Sequence, residues 1–111
     1  MDEKRKFPRV PVETEIWLGQ DGIFTRSPER FRDLSEGGAF IETGQRFAVG
    51  SILSFRFTLP GARQPISCSV CVRSLRGGSG LGVEFLDISP EDRQQLKAFI
   101  QSQISRTLPY Y

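Results

Sequence analysis

Ile52-Leu53-Ser54-Phe55-Arg56-Phe57-Thr58-Leu59 is the stretch on which the fold turns. Leu53, Phe55, Phe57 and Leu59 fall on every second position, and Arg56 lies between them. Successive side chains of an extended backbone point to opposite faces, so a period of two marks a strand with one face in a core and the other toward water. Pro60-Gly61 closes this strand, because proline presets one turn angle and glycine tolerates the other. Downstream, Ile66 to Leu75 reads as a long strand with Ile66, Cys68, Val70 and Val72 on its buried face. Gly77-Gly78-Ser79-Gly80 then turns into a strand over Leu81 to Leu86.

Upstream the same grammar continues. Val12, Thr14, Ile16 and Leu18 alternate with Glu13, Glu15 and Trp17, a half-buried strand that ends at the turn Gly19-Gln20-Asp21-Gly22. A second strand spans Ile23 to Leu34 with an interruption near Ser27-Pro28. Ser35-Glu36-Gly37-Gly38 forms the next turn, Ala39 to Thr43 a short strand, and Gln45 to Gly50 a loop. About six short strands separated by glycine and proline turns predict a sandwich or barrel. One helix follows. Ser89-Pro90-Glu91-Asp92 supplies a cap, a first-turn proline and first-turn acids, and Leu96, Phe99, Ile100 and Ile104 recur at helical spacing. A helix over 90–105 should pack on the barrel or cover an open end, and Tyr110 and Tyr111 read as a frayed tail.

The 111 residues suit a single domain over 1–111, divided into an arm (1–11), a barrel (12–87) and the helix (90–105). No apolar run reaches membrane-spanning length, and the charged N-terminus lacks the apolar segment of a secretory signal, so a cytoplasmic location is expected. A net charge of +2 argues against bulk nucleic-acid binding, although 12 of the 15 cationic residues are arginines, whose planar forks match phosphate and the Hoogsteen edge of guanine. Absence of histidine removes the commonest general base and metal ligand. No nucleophile elbow, Walker loop or paired-carboxylate motif is present either, so the reading assigns no enzymatic activity, no catalytic residue, no cofactor and no metal. Cys68 and Cys71 form a C-x-x-C, yet on a strand positions three apart face opposite ways, and zinc would need two more ligands.

Two local features carry the chemistry. Met1 to Pro11 reads as an extended, proline-stiffened basic arm in which Lys4, Arg5, Lys6 and Arg9 crowd within six residues and invite an anionic partner. Arg5 and Arg9 make an R-x-x-x-R. After 23 further residues, Asp33-Leu34-Ser35-Glu36-Gly37-Gly38 makes a D-x-S-x-x-G. Taken alone, the second feature is a strand-to-strand turn whose Asp and Ser bond nearby backbone. Asp33 could also accept the N1–H and N2–H₂ donor pair of guanine, while Ser35 and the loop amides could meet a phosphate or base oxygen. Gly38 would let backbone approach a ligand closely.

In that order and spacing, the two motifs resemble the paired signature of the PilZ family. Gly80-Leu81-Gly82-Val83-Glu84-Phe85 before a capped helix looks like that family's last strand and helix, and the resemblance spans essentially the whole chain. It implies a mostly β fold: a six-stranded antiparallel Greek-key barrel with a C-terminal helix, binding the bacterial second messenger cyclic di-GMP on its outer surface. By motif match, Arg5 and Arg9 clamp guanine and phosphate, and Asp33, Ser35 and Gly38 take the turn's roles. Lys4, Lys6, Gly37 and Arg73 are additional candidate contacts. A basic residue just before the first motif arginine, here Lys4, leans toward a stacked pair of ligands over a single molecule. The implied output is a change in the surface shown to a downstream protein that the sequence does not identify. An alternative is an adaptor working mainly through contacts with motility or pilus machinery; some family members lacking the arginines act so, whereas this chain retains every motif residue.

Overall fold

The computed structural model describes residues 9–12, 14–20, 23–24, 29–76 and 80–107. The chain is mostly β and antiparallel, with one C-terminal helix. Its strands are β1 (Val10–Pro11), β2 (Glu15–Gln20), β3 (Ile23–Phe24), β4 (Glu29–Leu34), β5 (Gly38–Glu42), β6 (Ile52–Phe57), β7 (Ile66–Arg76) and β8 (Gly80–Phe85), followed by α1 (Pro90–Thr107). They hydrogen-bond in the order β1-β4-β5-β8-β7-β6-β2-β3. β2 also pairs with β4, at Glu15↔Arg30 and Ile16↔Glu29, so the sheet curls back on itself.

The inner face is the one the alternation predicts. Leu53, Phe55, Phe57 and Leu59 are buried and Arg56 is exposed. From the neighbouring strands come Ile16, Leu18, Ile66, Val70 and Val72. The rings of Phe55, Phe57 and Phe85 meet with centroids 5.3 to 6.2 Å apart, a spacing favourable for aromatic pairs. Fully burying such side chains contributes about 1.5–3 kcal/mol each before the entropy of ordering them is set against it. After Leu59 the chain reverses at Pro60-Gly61, where Gly61 takes φ 83° and the Ala62 amide donates to the Leu59 carbonyl at 2.9 Å. Positive φ at that turn position is why the residue is glycine.

Two details depart from the alternation. The strand expected over Val12 to Leu18 starts later and runs further, as β2 (Glu15–Gln20), while Val10–Pro11 at the end of the expected arm form the short β1, whose ladder with β4 ends at Pro11, which has no amide hydrogen to donate. Register also shifts twice: between Phe31 and Asp33 in the β4–β5 pair, and between Val72 and Ser74 in the β7–β8 pair. Arg32 and Arg73 are therefore bulge residues, and each bulge adds local twist to a sheet that must curl.

The helix begins as its sequence demands. Ser89 Oγ accepts from the Asp92 amide at 3.1 Å, and the Ser89 carbonyl accepts from Arg93 at 2.8 Å. Leu96 and Ile100 are buried in the same core, with Phe99 and Ile104 partly covered beside them. α1 packs next to β1. No helix among the described residues is long and apolar enough to cross a membrane. Lys4, Arg5, Lys6, the Asp21-Gly22 turn, the Gly77–Ser79 turn and the tail tyrosines lie outside the described residues.

Candidate ligand-binding site

β1 joins the two sequence motifs. Its pairs are Val10↔Leu34 and Pro11↔Asp33, so the residue before it, Arg9, arrives beside the first residue of the D-x-S-x-x-G turn. Arg9 Nη1 lies 3.6 Å from Asp33 Oδ1, and the two side chains are 38% and 29% exposed. That separation is an ion pair, too long for a hydrogen bond. Asp33 Oδ1 is nevertheless shielded from solvent and has no hydrogen-bond partner among the described residues. A shielded carboxylate oxygen with charge compensation and no donor is an incomplete arrangement that an arriving N–H would complete.

The rest of the turn is spent on its own shape. Ser35 is buried; its Oγ accepts from the amides of Gly37 and Gly38 and donates to the Gly38 carbonyl, each at 3.2 Å. The Ser35 amide also reaches the Gly38 carbonyl at 2.9 Å, and the Phe85 amide ties the Gly37 carbonyl to β8 at the same distance. Ser35 and these two amides therefore hold the loop closed. Gly38 is needed for a related reason: a Cβ there would stand 2.1 Å from the Val83 carbonyl oxygen. The close backbone approach at this glycine is to β8.

Arg73 faces outward, 58% exposed, as its assigned face requires. Its Nη2 and Nε lie 2.6 and 2.7 Å from Glu84 Oε1, and that hydrogen bond, aided by nearby Cys71 and Glu84, holds the guanidinium above its ordinary pKa. Glu84 pairs across the sheet with Gly38, which places the Arg73–Glu84 pair on the outer face two strands from the D-x-S-x-x-G turn.

Between these groups lies a residue that sequence reading passed over. Register places Asp33, Phe40, Gly82 and Ser74 in one row across β4, β5, β8 and β7. Ala39 and Ile41 are buried, so Phe40 presents its half-buried ring to the outer face next to Asp33. The same period of two, applied to Ala39-Phe40-Ile41, would have found it.

Cys68 and Cys71 are both free thiols. Cys68 pairs with inward Phe55, whereas Cys71 pairs with outward Glu84, so the two face opposite sides. Burial, with smaller contributions from Asp87 and Asp92, pushes the Cys68 thiol up to about 12, which removes it as a nucleophile at neutral pH. No cluster of three metal-ligating side chains occurs among the described residues.

The family model described as PilZ domain matches residues 3–102. No curated protein matches the chain. Among solved structures, the Bacillus subtilis inhibitor of motility MotI/DgrA is similar with a TM-score of 0.79 and 18% identity, over 96% of this chain and 54% of that one. The PilZ domain of Escherichia coli YcgR, determined with c-di-GMP, is similar with a TM-score of 0.69 and 19% identity over 94% of each chain. The K. pneumonia MrkH–c-di-GMP complex gives a TM-score of 0.74 and 14% identity over 94% of this chain and 53% of that one. The chain thus spans about half the length of MotI/DgrA and of MrkH.

Proposed function

This chain belongs to the PilZ domain family, and from that premise we propose that it is a cyclic di-GMP receptor that binds without catalysis and relays the binding event to a partner protein. The observation that carries this reading is the meeting of Arg9 with Asp33 through the β1–β4 pair. A guanidinium and an undersatisfied carboxylate side by side match the acceptor-rich Hoogsteen edge and the donor pair of guanine respectively. Arg5 joins Arg9 from the arm, Lys4 and Lys6 add charge toward the phosphates, and Arg73 approaches from the bulge on β7. Ser35, Gly37 and Gly38 serve by fixing the turn that presents Asp33. YcgR and MrkH, both determined with c-di-GMP, support the ligand class, and MotI/DgrA, named as an inhibitor of motility, supports a regulatory output.

In this reading the six longer strands, joined by the β2–β4 pairing, form the six-stranded Greek-key barrel. The domain is a single unit over 1–111 working in the cytoplasm, with 1–11 as the arm that folds over the ligand. Calorimetric titration of c-di-GMP into the full chain tests the proposal. Saturable binding is expected, with most of it lost in Arg5→Ala, Arg9→Ala and Asp33→Ala. Wild type that gives no heat at high micromolar ligand would sink it. A stoichiometry of two ligands per chain, falling to one in Lys4→Leu, is the expected sign of a stacked pair.

A further inference from the structure

We infer that Phe40 is the stacking platform for the guanine that Asp33 receives, and that Gly80 keeps this platform in place. The inference rests on the receptor reading above and adds to it a base-contacting residue outside both motifs. Asp33 and Phe40 are direct cross-strand partners, so their side chains leave the same face of the sheet as nearest neighbours. The pair sets a carboxylate that can read a base edge beside an aromatic ring of the kind that meets a base face.

The surroundings of the ring are shaped for it. Phe40 sits opposite Gly82 and diagonal to Gly80. A Cβ on Gly80 would lie 2.2 Å from Phe40 Cζ, so the ring tip occupies the space that any other residue would claim. A Cβ on Gly82 would lie 2.3 Å from Ser74 Oγ, so the Ser74 hydroxyl fills the space over that glycine. With Gly38 on the same face, β5 and β8 present three outward positions without side chains around one aromatic. In the strand order, Arg9 and Asp33 flank the ring on one side, and Arg73 with Ser74 flanks it on the other.

Covering exposed glycines is by itself a sufficient packing reason for a cross-strand aromatic. It makes no claim on ligand binding, so the two roles part experimentally. Base-on-aromatic stacking contributes enough that removing the ring weakens binding on the order of tenfold.

The test is calorimetry of c-di-GMP with the full-length wild type, Phe40→Leu, Phe40→Trp and Gly80→Ala, with the guanine H8 proton of the bound ligand followed by NMR. Phe40→Leu keeps apolar bulk over the glycines and is expected to fold, to bind on the order of tenfold more weakly, and to lose the upfield ring-current shift at H8. Phe40→Trp should retain affinity and shift. Gly80→Ala, which touches no ligand group and displaces the ring, should weaken binding and reduce the shift. Wild type that binds, with Phe40→Leu equal to it in affinity and H8 position, would overturn the platform and leave the receptor reading standing. Wild type that does not bind would overturn both.

Discussion

In the proposed receptor, Asp33 is the residue on which structure and ligand chemistry converge. Its pair with Arg9 is partly exposed, and such pairs contribute about 0–1 kcal/mol. Its Oδ1 lacks a donor among the described residues, which costs on the order of 1–3 kcal/mol. The cost equals or exceeds the gain, so Asp33→Ala should lose ligand without lowering the urea-unfolding free energy below that of wild type. Cys68 makes the opposite case, a residue whose chemistry belongs to the fold. Its thiol ionises near its ordinary value of 9.0 when unfolded and at about 12 when folded. Below pH 9 both states are protonated and the contribution to stability is complete. Above it the unfolded chain releases a proton that the folded chain keeps, so stability falls as pH rises toward 12. Urea melts at about pH 8 and about pH 10 should show that decline, and Cys68→Ala should flatten part of it.

At the scale of elements, the D-x-S-x-x-G turn is a joint between β4, β5 and β8 as well as a motif. Gly38→Ala places a methyl group against the Val83 carbonyl, and backbone at both strands must move. We expect a loss of about 1–3 kcal/mol in thermal or urea unfolding, together with weakened ligand binding because Asp33 and Phe40 move with the turn. This separates Gly38 from Asp33, whose loss affects binding alone. Strand existence and facing were legible from Leu53, Phe55, Phe57 and Leu59, and the helix start from Ser89-Pro90. The bulges at Arg32 and Arg73 were not, because an extra residue in a ladder leaves no mark in a period-two pattern until the partner strand is known.

For the molecule as a whole, the ligand is expected to act as a clasp between the arm and the curled sheet. A ligand that binds only the folded chain adds about 2.7 kcal/mol at one hundred times its dissociation constant, which for a domain of this size raises Tm by roughly 10 °C. Differential scanning calorimetry with c-di-GMP should show that rise in wild type and none in Arg9→Ala. A rise of equal size in both would place the ligand away from the arm.

By itself the sequence determined the β-rich class, the inward face of the strands around Ile16, Phe55 and Val70, the capped helix and the two motifs, because each is written in neighbouring residues and local sterics. Pairing along the chain decided the rest. Residue spacing says that 23 residues separate Arg9 from Asp33, and only the β1–β4 register brings them to 3.6 Å. Register likewise set Phe40 beside Asp33 and over Gly80, and turned Gly38 toward Val83. Contacts of that kind join strands distant in the chain, and their geometry exists only once the sheet has curled around its core.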